Sequence, residues 1–133
     1  MNYSRVVFFS VGLFLLLVAI SAIATLIVGA EESTQSKSFI LTLYVLGFVA
    51  SLLVYFYLGY KQKISPYRHA VLVASGVWFI NLAVGGLLYI FLEIPIEPIL
   101  FLVTALLHVI AVLLGTLFGI ELRHYREFGI NAI

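Results

Sequence analysis

The chain has no cysteine and no aspartate, and it holds only three prolines and one tryptophan. Without cysteine there are no disulfides, no thiolate metal sites and no thiol redox chemistry. Charged residues make up 10% of the chain, against roughly 25% in water-soluble domains. The polar coat that a soluble globule needs is missing. A formal net charge of +1 gives no basic excess for binding nucleic acid.

What is absent from the apolar runs is equally informative. None of the six glutamates, at 31, 32, 93, 97, 121 and 127, falls inside one. A small proton-coupled exporter usually needs an acid within the membrane that changes protonation as substrate exchanges, and this chain offers no candidate. No lysine lies within a run either, which excludes a Schiff base. The polar connections are too short for a glycine-rich phosphate loop, a zinc motif or a nucleophile elbow. The expectation is a non-enzymatic protein with no metal site and no resident cofactor.

What is present is oil. The chain of 133 residues is 64% hydrophobic, with a mean hydropathy of +1.21. Four runs, 6–30, 38–60, 70–92 and 99–120, each reach the roughly 20 residues that cross a bilayer as a helix. The first is longer than the 7–15 apolar residues of a signal peptide, so it reads as a retained span. Buried helices of a soluble core are a poor alternative, because nothing amphipathic is left to surround them. The fold class is therefore all-α: a polytopic integral membrane protein, one transmembrane domain over 1–133, forming an antiparallel four-helix bundle. Short connections predict that consecutive helices are packing neighbours.

Pro66 breaks the chain between the second and third runs. Pro98 suits the first turn of the fourth helix, with Glu97 at its positive end. Segment 121–133 reads as an amphipathic cytoplasmic tail that continues the fourth helix, with Arg123 and Glu127 one turn apart and Gly129 as a stop. Arg5, Lys61, Lys63, Arg68, Arg123 and Arg126 all fall on one side of the four spans, and only Lys37 falls on the other. The positive-inside rule then puts both termini in the cytoplasm, and the expected location is the cell inner (plasma) membrane, multi-pass. Tyr55, Tyr57, Tyr60 and Tyr67 would anchor the inner interface and Tyr89 the outer one. The basic loop 61–68 with His69 is suited to anionic lipid headgroups.

Two polar side chains interrupt the third and fourth runs near their middles: Asn81 and His108. At 1.5 Å per residue both lie about 14–17 Å below the outer interface, close enough in depth to bond across neighbouring helices. Thr104, one turn before His108, and Trp78, one turn before Asn81, complete the candidate ligand-binding group. Three readings stay open for it: a packing hydrogen bond, a solute or proton site in an oligomeric transporter or channel, and haem ligation by His108. Haem b would need a second axial ligand, which a symmetric dimer could supply.

Small residues recur at four-residue spacing: Ala111, Gly115 and Gly119 on the fourth run, Gly47 and Ser51 on the second, and Ser21, Thr25 and Gly29 on the first. Such rows let helix backbones approach closely, within one bundle or between subunits. Besides the lipid bilayer, the expected partners are copies of the same chain or other membrane subunits. The leading functional reading is a subunit or accessory of an oligomeric or multi-subunit membrane complex.

Overall fold

The computed structural model describes residues 3–29, 36–93 and 98–128 with their side chains, together with the backbone of 129–130. It is all-helical: α1 Tyr3–Val28, α2 Lys37–Lys61, α3 Pro66–Leu92 and α4 Pro98–Ile130. All four helices are long and apolar enough to cross a membrane. Their regularity follows from composition, because a lipid-facing backbone must satisfy every N–H and C=O internally and a helix does so within one segment.

The helix ends are set by local chemistry. Ser36 Oγ accepts the Phe39 N–H at 3.3 Å and caps α2. Pro66 opens α3 behind Ser65, whose φ is 51°. Gly29, at φ 95°, ends α1 as left-handed glycines do, donating its N–H to the Thr25 carbonyl at 2.9 Å. Pro98 begins α4 as its ring geometry favours; Glu97 lies outside the described residues, as does the acidic loop 30–35. Gly129 does not stop α4, which runs on to Ile130. One glycine costs a helix only about 1 kcal/mol, too little to end a helix this long.

Each consecutive pair of helices is in contact, as short connections lead one to expect, but the most extensive contacts join α2 to α4, followed by α1 to α3. These are helices that point the same way. Along α2 and α4 the contacts advance in step: Tyr55 meets His108, Gln62 meets Arg123 and Lys63 meets Glu127.

Small residues explain the choice of partner. A Cβ added at Gly115 would stand 2.6 Å from the Leu52 carbonyl oxygen and 2.9 Å from Tyr55 Cβ. One added at Gly119 would strike the Phe56 carbonyl, and one at Gly59 would strike the Thr116 backbone. The glycine row of α4 is thus spent inside one chain, against α2. In α1 and α3 the same device recurs: Ser10 Oγ donates to the Val73 carbonyl at 3.1 Å and sits where a Gly76 side chain would go. Short loops limit how far apart consecutive helices lie, but they do not decide which pair can bring its backbones together.

The tail of α4 locks over the end of α2. Arg123 Nη1 donates to the carbonyls of Gln62 at 2.6 Å and Gly59 at 3.4 Å, groups that the end of a helix leaves unpaired. Arg126 Nη1 donates to the Tyr60 hydroxyl at 2.9 Å. Lys63 and Glu127 form an exposed ion pair at 3.4 Å, a kind worth about 0–1 kcal/mol. These contacts mark one end of the bundle as basic. The core lies in the half next to that end, around Leu13, Tyr55, Val73, Val77, Ala111 and Val112.

Candidate functional site

Beyond the level of His108 little of the bundle is buried. Among the described residues of α1 after Leu13, α3 after Val77 and α4 before His108, none is buried. On the far side of that level α2 contributes only Ser51, at the boundary, and Phe39. His108 is the last buried side chain of α4 before the bundle opens, and its partner is Tyr55 of α2. The Tyr55 hydroxyl and His108 Nε2 are 2.7 Å apart, with the rings edge to face at 5.4 Å between centroids. Tyr55 is fully buried, so it is no interface anchor.

Four-residue spacing could have found it. Gly47, Ser51, Tyr55 and Gly59 lie on one stripe of α2, and the two small-residue positions already in view lead straight to the tyrosine. As one of several tyrosines at a helix end, Tyr55 also carries the pattern of an interface anchor.

Above the Tyr55–His108 pair is a cavity of about 250 Å³ between α1, α2 and α4, closed on one side by Asn81 of α3. His108, Thr104 and Asn81 share this lining with Ser21, Gly47 and Ser51. The three candidate polar residues therefore border one space, but they do not bond one another. Thr104 Oγ1 donates to its own helix at the Leu100 carbonyl, 2.8 Å away. His108 Nε2 is taken by Tyr55, and Asn81 is exposed.

The register explains the exposure of Asn81. Ala70, Val73 and Val77 form the buried stripe of α3, and Asn81 continues it one turn further, where α3 buries no side chain. Trp78 faces the other side of α4, edge-on to Phe101 at 5.2 Å between centroids. It borders a second, more apolar groove of about 490 Å³ that also touches His108. No known protein family, curated protein or solved structure matches this chain.

The donor set limits the chemistry. Among the described residues no three His, Cys, Asp or Glu side chains gather to hold a metal ion. Haem does not fit at His108, because the nitrogen that would ligate iron is already held by a buried phenol. What the arrangement can do is recognise. It offers an amide and hydroxyls around a water-sized to small-solute-sized space, above a locked phenol–imidazole floor. Ala111, Gly115 and Gly119 lie below that floor and belong to the α2–α4 contact; Gly47, which meets Leu17 Cδ2 of α1 at 3.6 Å, and Ser51 lie at its rim.

Proposed function

We propose that this chain is a non-enzymatic membrane protein that works by binding, as a subunit or accessory of an oligomeric or multi-subunit membrane complex. Its basic end faces the cytoplasm, by the lysine and arginine asymmetry, and the membrane is the plasma membrane. The observation that carries the reading is Asn81. A primary amide near mid-membrane, exposed on a stretch of helix that buries no side chain, costs several kcal/mol if lipid surrounds it. Something else must meet it. A polar or closely packed helix of another subunit entering the open half supplies both the hydrogen bond and the missing packing surface.

A second reading rests on the cavity itself. Asn81, Thr104 and His108 border a common space, the arrangement expected of one stage of a small-solute or ion path. The absence of cysteine makes the two readings separable. Asn81→Cys in native membranes is expected to cross-link to a neighbouring subunit under mild oxidation or with a short thiol-to-amine reagent. Rapid labelling by a membrane-impermeant maleimide without cross-linking identifies a water-filled path instead. A thiol that neither labels nor cross-links is facing lipid, and both readings fall.

A further inference from the structure

The basic end holds a second cavity, of about 420 Å³, where α1, the end of α2 and the start of α3 meet. Its polar lining is Arg5, Lys61, Gln62 and His69, and none of its lining residues is an acid. His69 is 6% exposed and is held from both sides. Its Nδ1 is 3.2 Å from the Ser65 carbonyl, which can only accept, so that nitrogen carries a proton. The Gln62 side-chain amide nitrogen lies 3.0 Å from Nε2 and donates to it. The inner wall is therefore a built polar surface. The apolar walls include Phe9 and Tyr57, with ring centroids 6.1 Å apart.

The order of residues along the two helices matters. Arg5 precedes Phe9 by four residues on α1, and Lys61 follows Tyr57 by four on α2. The helices run in opposite directions, so on both the cation sits one turn nearer the basic end than the aromatic ring. Aromatic rings favour the boundary between acyl chains and headgroups, and cations favour the layer of phosphates beyond it.

We propose that this cavity is a binding site for the phosphate of an anionic phospholipid, with Arg5 and Lys61 on the phosphate oxygens and Phe9 and Tyr57 against the upper acyl chains. A phosphate ester anion is the shared chemistry; the aromatic walls select the lipid over a free phosphate. This site is independent of the open half of the bundle and of Asn81.

The test is native mass spectrometry of the purified full chain, titrated with phosphatidylglycerol or with phosphatidylcholine of the same acyl chains. Phosphatidylglycerol is expected to bind in preference. Each cation near the membrane surface contributes about a fivefold gain, so Arg5→Gln with Lys61→Gln should weaken phosphatidylglycerol binding roughly thirtyfold. Phosphatidylcholine binding should not change, and Lys61→Gln alone should lose about fivefold. Both side chains are exposed, so the variants keep the core. Lys63→Gln with Arg68→Gln removes equal charge from the same end but outside the cavity lining. Equal losses in the two double variants would show only a diffuse basic surface and overturn the site. Unchanged binding in the first double variant, or displacement of the lipid by millimolar inorganic phosphate, overturns it as well.

Discussion

The two halves of this molecule are built from the same kind of sequence and end up in different states. Near the basic end the four helices close on a core, and beyond His108 the same helices bury almost nothing. Apolar content does not separate the halves, since lipid competes with a leucine side chain on equal terms. Registered small residues do. In the closed half Gly59, Gly115 and Gly119 meet backbone across α2 and α4, and Gly76 meets Ser10 across α1 and α3. In the open half Gly85 and Gly86 have nothing near the position of a Cβ, and Ser21 and Gly29 are exposed. A small residue promotes packing only where the facing helix offers a backbone at the same level.

The largest way to break this contrast is to fill the glycine contact. Gly115→Leu must push its side chain into the Leu52 carbonyl and Tyr55. Overpacking a core costs about 1–3 kcal/mol and sometimes more; here the obstacle is backbone, so at least about 3 kcal/mol is expected. Gly86→Leu, in open space, should instead stabilise α3 slightly, because leucine is the better helix former. Thermal unfolding of both variants in one detergent checks the pair. Equal effects would remove the difference between the halves.

A smaller effect is expected at the boundary. Tyr55→Phe keeps the buried ring and removes the hydroxyl, leaving His108 Nε2 without its partner. An unsatisfied buried group costs about 1–3 kcal/mol. His108→Leu in the same background should recover part of that loss, since removing both partners is far milder than removing one. A double-mutant cycle measures the coupling. Asn81→Ala is the control in the open half and should leave stability within about 0.5 kcal/mol. If the cycle gives no coupling, the phenol–imidazole pair is not what closes the floor of the cavity.

The four helices were legible because insertion depends on composition and length, which need no knowledge of neighbours. The break at Pro66, the start at Pro98 and the continuation of the fourth helix into the tail were legible for the same local reason, whereas the first turn of α3, Pro66–Arg68, read as loop. Partner choice was not. The row Ala111, Gly115 and Gly119 announces a close contact without saying with what, and only the matching Gly59 and the stripe through Tyr55 name α2. The polar site shows the same division. Depth follows from counting residues, and Asn81, Thr104 and His108 do border one space. Whether two side chains bond depends on rotation and on where a helix leaves the bundle. Tyr55 reached His108 because α2 stays packed at that level, whereas α3 buries nothing beyond Val77.

The smallest expected effect sharpens the contrast from inside the closed half. Thr42, Ser75 and Thr104 each donate their hydroxyl to the carbonyl four residues earlier, at 2.8–2.9 Å, and Ser10 shares its proton between the Val6 carbonyl at 2.9 Å and the Val73 carbonyl at 3.1 Å. Thr116 makes no such bond: it is fully buried against Gly59, and its Oγ1 has no hydrogen-bond partner among the described residues. In a separated helix that hydroxyl is free to turn back to its own helix, so packing α4 onto α2 costs it a bond. Thr116→Val has nearly the same shape and nothing to satisfy. It should raise stability by about 1 kcal/mol, while Thr104→Val in the open half, whose hydroxyl keeps its bond in either state, should change little. A destabilised Thr116→Val would mean that the hydroxyl is partnered when the protein sits in a bilayer, and that the α2–α4 contact is looser than its glycines imply.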